Sequence, residues 1–119
     1  ALLSAALNRP AEVFLTRAEA EAIARLPAGA LVLAAPRTGA FIPARSDARV
    51  LYGHPFETVD AGRWRAAVAG FFAGEAPDVL EEADLVFYGP GEAALGPRPD
   101  LPGWRVSFAA DDVKVYARP

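Results

Sequence analysis

The spacing of apolar positions predicts two helices. Residues 16–26 (TRAEAEAIARL) begin with Thr16 and Glu19 at the separation of a capping box, in which each residue bonds the other's backbone N–H. Ala20, Ile23 and Ala24, continued by Leu26, are expected to form the apolar stripe of this helix. Pro and Gly at positions 27 and 29 then stop it.

The second helix is predicted within residues 60–75, with Asp60 as its N-cap and Gly74 just past its end. Its large apolar residues recur with the 3.6-residue period of one helix face. They are Trp64, Ala67, Val68, Phe71 and Phe72. This face is therefore expected to pack on the core.

Short apolar runs bounded by turn residues predict five strands. Residues 30–35 are a continuous apolar run typical of a buried strand, and residues 49–53 and 83–89 predict two further strands. Residues 104–110 and 113–118 alternate in the manner of antiparallel strands, with Asp111 and Asp112 as the turn between them.

Strands that alternate with helices predict an α/β fold. We expect a layered sheet of three parallel strands with helical crossovers, followed by a C-terminal antiparallel hairpin. A short helix between the first two strands would be capped by Thr38 and limited in length by Pro43. We expect residues 13–119 to form a single domain. Because the chain lacks methionine even at position 1, we interpret residues 1–12 as a lead-in from a longer protein.

Composition narrows the class of protein. The 119 residues are 53% apolar and 23% charged, as in a globular domain, and the formal net charge is −3. The basic residues form no stripe, so we expect no nucleic-acid partner. The chain has no cysteine and a single histidine, His54. Zinc sites need several such ligands at short spacing, and the sequence does not contain them. We therefore predict neither a metal nor a cofactor.

Polar residues follow each of the three predicted parallel strands. The carboxyl ends of parallel strands meet at one edge of the sheet, which is where α/β proteins bind ligands. The candidate ligand-binding residues there are Arg37, Thr38, His54, Glu57, Thr58, Tyr88 and Glu92. The alternative is that they are turn and capping residues, because the same residue types stabilise strand-to-helix junctions.

No complete catalytic set is visible. His54 has the chemistry of a general base, but a base needs a nucleophile or a substrate proton within reach. None of the serines lies in the pattern G-x-S-x-G. Residues 89–96 do not have the G-x-G-x-x-G spacing, and Pro97 stands where a phosphate-binding loop requires lysine. We assign no catalytic residue.

The order of these motifs resembles the C-terminal soluble part of bacterial polytopic membrane proteins of the glycosyltransferase-C, mannosyltransferase-like type. The resemblance spans residues 13–118. Its most specific pieces are Thr38-Gly39 with Ile42-Pro43, Gly53-His54 with Glu57-Thr58, and Tyr88-Gly89-Pro90 with Glu92.

This resemblance implies a parent protein in the bacterial cell membrane and an extracytoplasmic position for this domain. In that family the catalytic acid lies in an early extracytoplasmic loop, outside this chain. The domain would then be a non-catalytic accessory unit. Its partners would be the membrane-embedded remainder of the same chain and a sugar or lipid-linked sugar. The alternatives are a free-standing small-ligand-binding domain or enzyme that uses the same edge of the sheet, and a pure protein-interaction module.

Overall fold

A computed structural model describes residues 15–50, 61–75 and 77–119. The predicted lead-in, residues 1–12, lies outside the described residues, as do His54, Glu57 and Thr58. The helices are α1 (Arg17–Ala24), α2 (Pro36–Gly39), α3 (Ile42–Arg45), α4 (Ala61–Phe72), a 3-10 helix (Pro77–Glu82) and α5 (Pro90–Ala93). The strands are β1 (Leu31–Leu33), β2 (Arg49–Val50), β3 (Leu85–Tyr88), β4 (Arg105–Ala110) and β5 (Val113–Ala117).

The strands form one mixed sheet in the order β2-β1-β3-β5-β4. Strand β1 pairs in parallel with β2 on one side and with β3 on the other. Strand β5 pairs antiparallel with both β3 and β4. The prediction of a mixed α/β fold is therefore confirmed.

The predicted capping box at α1 is confirmed. The Glu19 backbone N–H donates to Thr16 Oγ1 at 3.1 Å, and the Thr16 backbone N–H donates to Glu19 Oε1 at 2.9 Å. These two bonds satisfy N–H groups that the first turn of a helix otherwise leaves without partners. Glu19 is nevertheless fully buried, which a capping role alone does not require.

The connection from β1 to β2 differs from the prediction. Two single-turn helices, α2 and α3, replace one short helix, and each has a proline in its first turn. Thr38 lies inside α2 and is not its cap, because the helix already begins at Pro36. The reason is local: proline's fixed φ suits the first helical position and its missing N–H costs nothing there.

Two hydrophobic clusters make up the core. Val32, Leu85 and Val115 belong to one cluster together with the buried residues of α1. Leu33 and Val86, each next along its strand, belong to the other together with Phe71 and Phe72 of α4. Successive side chains of a strand point to opposite faces, so the sheet has apolar residues on both faces.

The apolar face of α4 is confirmed at its C-terminal half. Val68, Phe71 and Phe72 are buried, and the rings of the two phenylalanines meet edge to face with centroids 5.1 Å apart. The side chain of Trp64, predicted on the same face, lies outside the described part of the chain. Within the described residues, no helix combines the length and the apolar character needed to cross a membrane.

The C-terminal hairpin turns at the two predicted aspartates. Asp111 has a φ of 51°, in the left-handed region that aspartate tolerates better than most residues. The register between β4 and β5 shifts between Val106 and Phe108, which is a β-bulge. Strand β4 lies at the end of the sheet and presents Val106 to solvent.

Candidate functional site

Glu92 joins the carboxyl ends of two parallel strands. Its Oε2 accepts the backbone N–H of Ala35, just after β1, at 2.8 Å. Its Oε1 accepts the backbone N–H of Gly89, just after β3, at 2.9 Å. One carboxyl group thus connects two loops whose residues are 57 positions apart. We call this region, formed by residues 35–38 and 88–92, the carboxyl-end rim.

The carboxyl group of Glu92 is isolated from solvent. Its side chain is 0% exposed. Burial raises the pKa of Glu92 above its ordinary value, since the charged form loses its hydration, while the N–H groups of Ala35 and Gly89 act in the opposite direction. Burial is the larger effect, so the environment favours the protonated acid more than water does.

Thr38 is the second fully buried polar residue of the rim. Its Oγ1 has no partner of normal hydrogen-bond geometry in the described structure. The hydroxyl is still close enough to Glu92 to lower the pKa of that carboxyl, against the effect of burial. By bond geometry, Thr38 Oγ1 is an unsatisfied buried hydroxyl among the described residues, and such groups are rare in proteins.

Arg37 turns towards α1. Its Nη1 lies 2.6 Å from Oε2 of Glu19, and its Nη2 lies 3.4 Å from Oε1 of the same residue. The Arg37 side chain is 13% exposed and that of Glu19 is 0% exposed. The pair neutralises a carboxylate that would otherwise be buried alone, and it attaches the loop after β1 to α1.

Gly91 allows these groups to approach one another. A Cβ atom placed on Gly91 would lie 2.9 Å from Thr38 Oγ1 and 3.0 Å from Arg37 Nη1. The first separation is shorter than real Cβ contacts and the second is tight, so a side chain at this position would require Thr38 or Arg37 to shift. Glycine therefore eases the close approach of α5 to α2.

Tyr88 closes the rim on the side of α4. Its hydroxyl donates to the carbonyl oxygen of Gly96 at 2.8 Å. Burial, with the charge of Glu92 as a smaller cause, raises the pKa of Tyr88 above its ordinary value. Gly96 in turn approaches α4 so closely that a Cβ there would collide with the carbonyl oxygen of Phe72.

The structure brings together four of the seven candidate residues: Arg37, Thr38, Tyr88 and Glu92. Glu92 and Thr38 are fully buried, so neither side chain has the exposure to a ligand that the prediction of ligand-binding residues requires. The physical reason is that α5 packs closely against α2, with Gly91 beside the Thr38 side chain. The other three candidates, His54, Glu57 and Thr58, lie outside the described residues. Their role as ligand-binding residues therefore stays a prediction.

Sequence reasoning missed the structural role of Glu19, which it treated as a helix cap only. The missing signal is the pairing of Glu19 with Arg37 across 18 positions, which no local pattern shows. No three His, Asp or Glu side chains in the described ranges come close enough together to hold a metal ion.

Comparisons with known proteins identify no relative. No protein-family model matches the chain, and no curated protein or solved structure is significantly similar to it.

Proposed function

We propose that this chain is a non-catalytic accessory domain of a membrane-embedded glycosyltransferase-like protein. The parent would lie in the bacterial cell membrane, with this domain on the extracytoplasmic side and in contact with the membrane-embedded remainder of the same chain. The proposal takes its family from the motifs that resemble the glycosyltransferase-C type.

The bonding of Glu92 is the observation that carries the non-catalytic part of the proposal. A general acid or base must come within hydrogen-bond reach of a substrate proton. Glu92 instead accepts two backbone N–H groups from the protein and has no exposed surface. Arg37 and Tyr88 also bond within the protein, to Glu19 and to Gly96. These contacts favour a rim that shapes the domain over one that performs chemistry.

The finer architecture belongs to the same proposal. We infer a layered sheet in which β1, β2 and β3 form the parallel part and helical connections cover its faces. Support comes from the two core clusters, one containing α1 and the other containing α4. In such a layered domain, the segment after β2 would reach the same edge as the rim and bring His54, Glu57 and Thr58 to it. A sugar or lipid-linked sugar would then be recognised by this segment beside the rim.

The alternative of a pure interaction module finds less support. Such a module needs a large exposed apolar patch. Among the described residues, the large apolar side chains that are exposed are Leu95, at 37%, and Val106, at 50%. They lie on different elements, one after α5 and the other on β4.

Topology reporters fused after Pro119 of the full-length parent test the cellular context. We expect an alkaline phosphatase fusion to be active and a green fluorescent protein fusion to be dark, because the phosphatase needs disulfides that form outside the cytoplasm. A fluorescent fusion with inactive phosphatase would contradict the extracytoplasmic position.

Removal of residues 15–119 from the parent tests the accessory role. If the domain helps recognise substrate and performs no chemistry, glycosyl transfer should persist with a raised KM and a nearly unchanged kcat. Loss of kcat by several orders of magnitude, with the truncated parent still folded in the membrane, would show that the domain supplies catalytic groups.

Titration of the isolated chain with a sugar phosphate, followed by NMR, tests ligand recognition. We expect millimolar ligand to shift the ring resonances of His54. Arg37→Lys should leave this shift nearly unchanged, because Arg37 bonds Glu19 within the protein and the segment after β2 is the one proposed to recognise the ligand. Arg17→Lys, at an exposed position of α1 outside the carboxyl-end rim, is the matched control. Unchanged His54 resonances would leave these turns with a structural role only.

A further inference from the structure

A groove lies at the end of the sheet opposite the carboxyl-end rim. It runs between the C-terminal end of α1 and the β4–β5 hairpin, and its volume is about 480 Å³. Leu85, the first residue of β3, and Arg105, the first residue of β4, both line it. Its walls also include Arg25, Leu26, Phe108 and Val115. We call it the arginine groove.

The charge of the arginine groove is opposite to that of the whole chain. Arg25 and Arg105 line it, none of its described lining residues is acidic, and the formal net charge of the protein is −3. In the part of the chain that the structure describes, neither arginine makes an ion pair. Two guanidinium groups therefore share a concave surface whose described lining residues include no carboxylate.

The position of Arg25 leaves its donors available. Its guanidinium carbon lies 5.5 Å from the centroid of the Phe108 ring, in a cation–π contact. Among the described residues, the Arg25 side chain makes this contact and no hydrogen bond. The contact therefore holds the charge in place without using its hydrogen bonds.

The floor of the groove is apolar. Leu26, Leu85 and Val115 are buried core residues, and Phe108 packs against the same cluster. Small-molecule sites typically have this composition, with an apolar lining and a few polar groups that orient the ligand, in volumes of about 300–1,000 Å³.

We propose that the arginine groove binds a small molecule with an anionic head and an apolar body. Arg25 and Arg105 hold the head, a carboxylate or a phosphate, through charge-assisted hydrogen bonds. The body lies on Leu85, Phe108 and Val115, where its burial removes apolar surface from water. The site is separate from the carboxyl-end rim and needs no residue of it.

Four probes distinguish the contribution of the anionic head from that of the apolar body. They are hexanoate, hexyl phosphate, 1-hexanol and acetate. Binding to the whole 119-residue chain is followed through the backbone amide resonances of Leu26, Phe108 and Val115. We expect saturable millimolar binding of at least one of the two six-carbon anions. Hexanol, which lacks the charge, and acetate, which lacks the body, should each bind about tenfold more weakly or worse. The tighter of the two anions identifies the head.

Arginine variants test which side chains hold the head. Arg25→Gln and Arg105→Gln should each weaken binding of the preferred anion by about tenfold or more, the usual loss for a hydrogen bond to a charged group. Arg17→Gln is the matched control, because Arg17 is exposed in the first turn of the same helix and the change in net charge is identical. Thermal unfolding of Arg105→Gln verifies that this variant, altered at an exposed position, keeps its fold.

Three results would overturn the proposal. They are equal binding of acetate and hexanoate, an equal loss of affinity in Arg17→Gln, and the absence of saturable shifts at Leu26, Phe108 and Val115 with either anion. None of these results bears on the membrane topology of the parent or on the His54 titration. A negative result for the arginine groove therefore leaves the proposed accessory function untouched, and the reverse also holds.

Discussion

The carboxyl-end rim and the arginine groove use arginine in opposite ways. In the rim, Arg37 is 13% exposed and pairs with a fully buried carboxylate at 2.6 Å. In the groove, Arg25 and Arg105 are exposed and face no acidic side chain among the described lining residues. Both regions lie at ends of the same sheet. The difference is whether the fold brings a carboxylate within reach, and this decides whether the arginine stabilises the domain or remains available to a ligand.

The two ends of the sheet also differ in how much room they leave for a ligand. Open α/β sheets usually bind ligands at the carboxyl ends of their strands. Here the described part of that edge is occupied by the protein's own bonds from Glu92 and Tyr88. The opposite end keeps an open concave surface with positive charge. The fold class therefore indicates which edge of the sheet to examine for a ligand site. The hydrogen bonds and ion pairs of each side chain decide whether that side chain is available to a ligand.

Arg37→Ala is expected to have the largest effect. It would leave the buried carboxylate of Glu19 without its cation, and such a loss costs about 3–5 kcal/mol of unfolding free energy. Arg105→Ala should change the same quantity by less than about 0.5 kcal/mol, as exposed substitutions usually do. Chemical denaturation measures both. Equal losses in the two variants would remove the difference between rim and groove.

Glu92→Ala should cause the second-largest loss of unfolding free energy. The N–H groups of Ala35 and Gly89 would both lose their buried acceptor, at about 1–3 kcal/mol each, for a total of about 2–4 kcal/mol after partial relaxation. Amide hydrogen exchange at Ala35 and Gly89 should accelerate in this variant by more than at Val86 in the sheet interior. Unchanged protection at these two amides would mean that Glu92 does not hold the strand ends together.

Gly91→Ala tests the close approach of α5 and α2. The added methyl group meets Thr38 Oγ1 and Arg37 Nη1, and overpacking of this kind costs about 1–3 kcal/mol. Addition of Thr38→Ala to this variant should recover part of the loss, because it removes one of the two atoms in the way. If the double variant is less stable by the sum of the single losses, the two residues do not meet in this manner.

The pH dependence of stability gives the smallest expected effect. Because the folded protein raises the pKa of Glu92 above its ordinary value of 4.5, it binds that proton more tightly than the unfolded chain does. The resulting stabilisation is complete below pH 4.5 and is lost as pH rises through the folded pKa, with a slope of at most about 1.4 kcal/mol per pH unit.

Glu92→Gln isolates this contribution, because glutamine does not titrate. The difference in unfolding free energy, wild type minus Glu92→Gln, should fall as pH increases above 4.5. A difference that rises with pH would mean that the N–H groups of Ala35 and Gly89 outweigh burial and lower the pKa. The same series on Arg105→Gln should reproduce the pH slope of the wild type.

Local patterns predicted the elements of this fold well. The capping box at Thr16 and Glu19, the helix ending near Gly74 and the hairpin turn at Asp111 all lie where the sequence indicates. The edges of the strands were less predictable: β1 spans Leu31–Leu33, shorter than the apolar run of residues 30–35. An apolar run shows that a segment is buried, but strand pairing decides where the strand ends.

The sequence predicted where along the fold the candidate site lies. It did not predict whether its side chains are buried or exposed. The sequence placed Arg37, Thr38, Tyr88 and Glu92 at the ends of β1 and β3 by the rule for parallel strands. It did not indicate that Glu92 and Thr38 are covered, because their burial depends on how α5 packs over α2. Nor did it indicate the groove, whose two arginines are 80 positions apart (105 minus 25).

By itself, then, the sequence determined the two longer helices α1 and α4, the places of the strands, the mixed α/β class and one internally bonded cap. These features depend on residues within a few positions of one another, so periodicity and capping chemistry express them directly. Only the tertiary structure decided that Glu19 pairs with Arg37, that Glu92 bonds Ala35, and that Arg25 and Arg105 share an open groove. These contacts join distant segments, and the free energy of each charge depends on burial and on the nearest opposite charge, which exist only once the chain has packed.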